Sequence, residues 1–442
     1  MMKSPAFTEK AQSMLKHLLV DDPEIEHRIE TGIEQHRKGW GEIKLVDKEG
    51  EPVEHASVSM RQMKHEFHFG CNAFLLDQLP EAEKNAQYRE LFSDVFNLAV
   101  VPFYWADLEP EEGKMRFDKN SPFIYRRPPP DLVLDFCEEK GITPKAHPLL
   151  WHNFRPEWLG CEEMEMRRHI RRRFQAISER YAHRINIWDV CNEVQTLTLN
   201  QKRAHMPENH LEYAFELAAK FFPNGIKTYN DDRIWYRYSR SYSPVYLLVK
   251  SLIEQGYKVD ALGLQLHMFT NVLYNAFRFL NQKNLLDSFD LYGRLGVPLN
   301  ISEISLISSK DLGDGDAFQE ILTDKLYRLW FSHAAMNGIV WWNMVDNTAA
   351  YAPLGDETAG ENVGRAGLVN YDMTPKPAYK VLKRLIQEEW QTNPSFEYTE
   401  GAANKFRGFY GDYEVTVKTA QGTSIHKIKH SRNNLNVFML KL

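Results

Sequence analysis

From about residue 67 to residue 392 the chain repeats one pattern. A short apolar, β-branched run is followed by a polar break, then by a longer stretch with apolar residues three and four apart. Eight runs read as strands: FHFGCNAF (67–74), NLAVVPFY (97–104), TPKAHPLLW (143–151), INIWDVCNE (185–193), GIKTYND (225–231), ALGLQLHM (261–268), PLNISEIS (298–305) and GIVWWNMVD (338–346). The stretches 163–182, 209–221, 242–255 and 316–336 carry helical spacing. Parallel strands need crossover connections, usually helical, so this alternation predicts an α/β fold, a (β/α)8 TIM barrel.

The flanks read differently. Residues 5–38 combine helical spacing with mixed charge, and one or two peripheral helices are expected there. GEIKLVDKEGEPVEHASVSMRQ (41–62) alternates apolar and polar positions around the turn KEGEP, which is a hairpin signature. FRGFYGDYEVTVKTAQGTSIHKIKH (406–430) has the same style around AQGT and is followed by LNVFMLKL. Neither piece is large enough to bury a sheet face alone. The expectation is therefore a helical segment over 1–40, a small accessory β-sandwich built from 41–66 plus 393–442, and the barrel as a continuous insert over 67–392. Two separate β decorations are the alternative.

Chemistry on such a barrel collects at the C-terminal ends of the strands. The fourth run ends on Asn192 and Glu193, and a buried strand has little reason to close on an amide beside a carboxylate. The seventh carries Glu303. Two carboxyls at the ends of different parallel strands suit glycosidic cleavage, one donating a proton and the other attacking. Other ends offer His147, Trp151 and His152, Tyr229 and Asn230, Gln265 and His267, then Trp341, Trp342 and Asp346. Structural readings compete: Glu303 paired with Arg365, histidines satisfied within the core, Cys191 as core. Trp341 and Trp342 point to opposite faces, so one belongs to the core, and Trp342 is expected in the cleft. His147, His152, His267, Glu303 and Asp346 leave a metal hydrolase as a rival, though a closely spaced His-x-His is absent.

Composition narrows the field. With 54 basic against 60 acidic residues and no basic run, nucleic acid is not an expected partner. Four cysteines without a CxxC pairing suit reduced core thiols better than a disulfide framework. No run reaches membrane-spanning length, and the N-terminus lacks the apolar segment of a signal peptide, so a cytoplasmic protein with no membrane partner is expected. No cofactor is called for.

At this point AHPLLWH (146–152), WDVCNE (188–193), GLQLH (263–267), ISEI (301–304) and PKPAY (375–379) together resemble the motif series of glycoside hydrolase family 10, best known for endo-β-1,4-xylanases. The resemblance spans roughly 67–385. It implies a retaining mechanism with Glu193 as acid/base and Glu303 as nucleophile. It also implies His147, Trp151, His152, Gln265 and His267 at the sugar subsites; Asn192, Tyr229, Trp342, Trp105 and Tyr351 complete the expected set. Two departures stand out. FNLAVVPFYWADLEP (96–110) is apolar where the family carries an Asn and a Lys, although Trp105 and Glu109-Pro110 line up. DNTAAYAPLGDETAGENVGR (346–365) offers only Tyr351 where the family usually has a second Trp. The expected partner is an oligo- or polysaccharide, by default xylan or xylo-oligosaccharides. An exo-acting β-xylosidase or β-glucosidase and a non-catalytic sugar-binding barrel are the alternatives.

Overall fold

The structure is a computed structural model and describes residues 6–197, 206–235, 243–269 and 272–442. Two helices lead the chain, Glu9–Leu18 and Pro23–Arg37, started by the side chains of Thr8 and Asp22 accepting from exposed first-turn N–H groups. The second lies against the late helix Gly315–Ser332. At Gly32 a Cβ would meet the Ser332 carbonyl at 2.5 Å, so only glycine permits this approach.

Strands β1 (Lys38–Val46) and β2 (His55–His65) follow. Then comes the barrel: β3 (His68–Asn72), β4 (Leu98–Pro102), β5 (Thr143–His147), β6 (Ile187–Asn192), β7 (Ile226–Asp231), β8 (Ala261–His267), β9 (Leu299–Ser305) and β10 (Met336–Trp341). All eight are parallel and close in the order β10-β3-β4-β5-β6-β7-β8-β9. Each of the first seven lies inside its expected run. The eighth starts two residues earlier, at Met336, and ends at Trp341, leaving Trp342 to begin the following loop. The expected helices form over Glu163–Tyr181, His210–Phe221, Pro244–Glu254 and Gly315–Ser332.

The chain finishes with β11 (Ser395–Thr399), β12 (Lys405–Phe409), β13 (Gly411–Thr419), β14 (Gly422–His430) and β15 (Val437–Lys441). These join the two early strands in a three-stranded sheet, β12-β1-β15, and a four-stranded one, β11-β2-β13-β14. Along β2 burial alternates strictly, with Ala56, Val58 and Met60 inward, and they meet Ile43, Leu45, Tyr413, Val415 and Leu440 in a separate small core. Fully burying such side chains is worth roughly 1.5–3 kcal/mol each, which neither end of the chain could gather alone.

One expectation is corrected. Residues 41–62 are not a hairpin. Val53 N donates to Leu45 O and Val46 bridges Pro52, so a turn does begin. Pro52 has no N–H to extend the ladder, and the chain crosses to the other sheet, where β2 pairs with β13. The module sits at the N-terminal end of the barrel strands: Lys64 Nζ donates to Gly141 O, and Asn97 Nδ2 donates to His65 O. All four cysteines are free, and Cys71, Cys137 and Cys191 are buried.

Candidate active site

Side-chain aim at the barrel mouth is set by strand alternation and by two irregularities. In β6, Ile187 and Asp189 face the barrel interior, while Trp188 and Val190 pack among the outer helices. Continued alternation would send Cys191 inward and Asn192 outward. A register shift between Asp189 and Cys191 reverses this, so Cys191 joins the outer core and Asn192 enters the cleft. Glu193 follows at φ +52°, a left-handed setting unusual for a residue with a long side chain. Its N–H is tied to Asn230 O at 2.9 Å. A second register shift, where β8 meets β9, places Glu303 opposite Gln265.

A run of amides connects the two carboxyls. Gln265 Nε2 donates to Glu193 Oε1 and Asn192 Oδ1, both at 3.1 Å. Asn230 Nδ2 donates to Asn192 Oδ1 at 2.9 Å and to Glu303 Oε1 at 2.8 Å. Ser302 Oγ in turn fixes Asn230 through its Oδ1. Gly263 makes room for that amide, since a Cβ there would lie 2.2 Å from Asn230 Oδ1. With Asn192 Oδ1 occupied twice, its Nδ2 faces the cavity as a donor.

Glu303 is buried and receives a second bond at Oε2 from His267 Nε2, 3.2 Å away. An ionised carboxylate only accepts, so Nε2 carries the proton toward Glu303, and Ser305 Oγ, 2.9 Å from Nδ1, serves as donor to that nitrogen. His147 Nε2 stands 3.8 Å from Glu303 Oε1, and its Nδ1 is 2.9 Å from Asp189 Oδ2. Lys145 Nζ approaches the same Asp189 oxygen at 3.0 Å, all three groups being buried. Burial acts to raise the Asp189 carboxyl, but Lys145 and His147 outweigh it and hold it below the usual range. An ionised Asp189 accepts only, so it fixes His147 with the proton on Nδ1.

The acid/base candidate has the opposite environment. Burial first, then the charges of Asp232 and Glu303, push the Glu193 carboxyl well above the ordinary range, with the Gln265 bond opposing. One carboxyl is thus disposed to keep its proton, and the other is clamped by donors.

Of the expected residues, Glu193, Glu303, His147, Trp151, Asn192, Gln265, His267, Trp342 and Tyr351 line one cavity of about 400 Å³. Trp342 stands edge-on to His147 and His267, while Trp341 is in the core, donating to Ala366 O. Three residues lie elsewhere. Tyr229 points to the helix layer, where its hydroxyl donates to Asp231 Oδ2; alternation gives the cleft to Asn230 instead. His152 is buried outside the cavity, and burial, aided by His210, lowers its pKa to about 4. Trp105 is buried behind the wall, donating to Glu109 Oε2 and packing edge-on against Trp158. Arg365, considered as a partner for Glu303, sits beside Asp346, which also bonds Lys376 Nζ at 3.2 Å. Among the described residues no group of three or more His, Cys, Asp or Glu side chains is placed to hold a metal ion.

The cavity also contains residues that sequence reasoning missed. Phe74 and Tyr104 form an aromatic wall after the first two barrel strands; the apolar run 96–110 gave warning of Tyr104 alone. Arg127 lies over the Tyr104 ring at 3.9 Å and pairs with Asp107 at 2.7 Å. Arg126, from RRPPPD (126–131), and Glu361, from the loop after β10, had no signal tying them to the cleft.

An eight-stranded parallel barrel with two unlike carboxyls at its C-terminal mouth is the build of a glycoside-cleaving barrel enzyme. A sequence model of Glycosyl hydrolase family 10 matches residues 59–385, and the chain belongs to that family. It is 24% identical over 326 residues to endo-1,4-beta-xylanase B of Thermotoga neapolitana, covering 70% of this chain and 86% of that protein. It is 26% identical over 391 residues to the anti-sigma-I factor RsgI6 of Acetivibrio thermocellus, covering 87% of this chain but only 45% of that longer protein. Among solved structures, xylanase 10B from Thermotoga maritima superposes with a TM-score of 0.58 at 23% identity, covering 73% of this chain and 96% of that one, a likeness of fold.

Proposed function

We propose that this protein cleaves β-1,4-linked xylan or xylo-oligosaccharides with retention, by double displacement. Glu303 attacks the anomeric carbon. Glu193, protonated at first, gives its proton to the departing oxygen and then takes one from the incoming water. The observation that carries this reading is the asymmetry of the pair: Glu303 held by Asn230 and His267, Glu193 pushed toward its protonated form. Once the glycosyl-enzyme forms, Glu303 loses its charge, Glu193 can release its proton, and its second role as base follows. Asn192 Nδ2 suits the sugar 2-hydroxyl, a bond that strengthens in the transition state. The xylanase names among the relatives support the choice of xylose-based substrates.

The apolar second barrel strand, Leu98–Pro102, standing where the family carries polar sugar contacts, favours a second reading, a sugar-binding barrel without turnover. One assay separates the two. Aryl β-xylobioside and aryl β-glucoside are given to the wild type, Glu303→Ala and Glu193→Ala, the last with and without azide. The proposal expects wild-type turnover of the xylobioside and a loss of about 10⁴-fold or more in Glu303→Ala. It expects a smaller loss, about 10²–10⁴-fold, in Glu193→Ala, with azide restoring turnover as a β-glycosyl azide. Xylobiose binding with no turnover by the wild type would overturn it in favour of the second reading.

A further inference from the structure

We infer that Glu361 is a specificity-determining residue of this cleft, its carboxyl accepting two hydroxyls of the bound sugar. The inference rests on the glycosidase reading and adds a contact to it.

Glu361 belongs to a short 3₁₀ turn, Gly360–Gly364, in the long loop between β10 and the helix Pro377–Arg384. That loop is firmly anchored. Asn362 accepts from Ala349 N at 2.9 Å and donates to Asp356 O at 2.7 Å. Arg365 O accepts from Ser308 Oγ at 2.8 Å and Lys376 Nζ at 2.9 Å, and Ser308 N donates to Gly364 O. The backbone on both sides of Glu361 is therefore fixed, so its side chain is presented to the cavity that also holds Glu303, His267 and Trp342.

The same loop carries four other carboxylates, and each is satisfied within the protein. Asp346 bonds Lys376 and Gly367 N, Asp356 bonds Thr358, Glu357 pairs with Lys310, and Asp372 bonds Thr374. Glu361 alone among them has no hydrogen bond or ion pair among the described residues. A half-buried carboxyl without a partner is unfavourable unless a ligand supplies donors. Burial raises its proton affinity.

Arg126 does not neutralise it by contact. Its guanidinium donates to Thr348 O at 2.6 Å and Asn343 Oδ1 at 2.7 Å. What remains is an acceptor-only group facing a sugar site, and adjacent sugar hydroxyls are the donor pair that matches two carboxylate oxygens.

The test uses aryl β-xylobioside and analogues lacking one hydroxyl at a time on the two xylose rings, with wild type and the Glu361→Gln and Glu361→Ala variants, thermal melting reporting the fold. Glu361→Ala is expected to lower kcat/KM for the parent by about 10–100-fold. Glu361→Gln keeps the shape and one acceptor and falls between. In wild type, deleting the contacted hydroxyl produces a loss similar to Glu361→Ala, and in Glu361→Ala the same deletion has no further effect. Equal kcat/KM in wild type and Glu361→Ala, or deletion losses identical in the two, overturns the inference while leaving the proposed reaction standing. If wild type turns over no aryl glycoside, the proposed reaction fails by itself. Xylobiose calorimetry then decides, weaker binding by Glu361→Ala supporting the role of Glu361 and equal binding overturning it.

Discussion

Glu193 combines a left-handed backbone with a carboxyl placed among acidic neighbours, two unfavourable features at one residue. The pH dependence of stability follows from its sign. Its folded pKa lies above the unfolded value of about 4.5, so the folded state binds the proton more tightly. The stabilising contribution is fully present below pH 4.5 and is lost as pH rises through the folded value. Glu193→Gln carries no such loss. Melting temperatures of the two proteins are therefore expected to coincide near pH 4 and to separate as pH rises, the glutamine variant reaching an advantage of about 1–4 °C. A constant difference at all pH values would contradict the electrostatic account. At this scale the sequence was legible where a strict period of two governs, as for Trp341 and Trp342. It misled where a motif residue sits one step off the cleft. His152 and Trp105 both belong to the recognised runs yet lie behind the wall, and the shift at Asp189–Cys191 that brings Asn192 inward has no composition signal. Asn230 follows by alternation once Asn192 is known, since the two are direct partners between β6 and β7.

Elements were easier to read than their partners. All eight barrel strands and the major helices appear in the hydrophobic pattern because each must bury a run of side chains of the matching period. Pairing is a different matter. The turn after β1 looks like a hairpin, but β1 lies between β12 and β15, and its parallel contact with β15 joins residues from opposite ends of the chain. No local pattern encodes a contact of that separation. The consequence is testable by removing residues 437–442. This deletes Leu440 and uncovers Ile43 and Leu45, a loss of roughly 5 kcal/mol from the small core. The melting temperature is expected to fall, while kcat/KM on aryl β-xylobioside at 20 °C stays within about twofold, because β15 and the cleft lie at opposite ends of the barrel. A truncated protein that folds but loses activity would show that the module reaches the site.

Across the whole molecule the division of labour is along the barrel axis. The N-terminal ends of the strands receive the accessory sheets, which contribute packing, and the C-terminal ends bring Glu193, Glu303, Asn192, Gln265, His147 and His267 around one cavity. The net charge of −6 says little about this arrangement, because the decisive charges are few, buried and local. What the molecule as a whole is proposed to do is transfer a glycosyl group twice, and two inversions at one carbon leave its configuration unchanged. The most direct measurement is therefore the anomeric form of the first product, followed by proton NMR during the opening minutes of aryl β-xylobioside hydrolysis. The account predicts that the β-anomer appears first and only later equilibrates with the α-anomer. The α-anomer appearing first would mean direct attack by water, and Glu303 would no longer be the nucleophile.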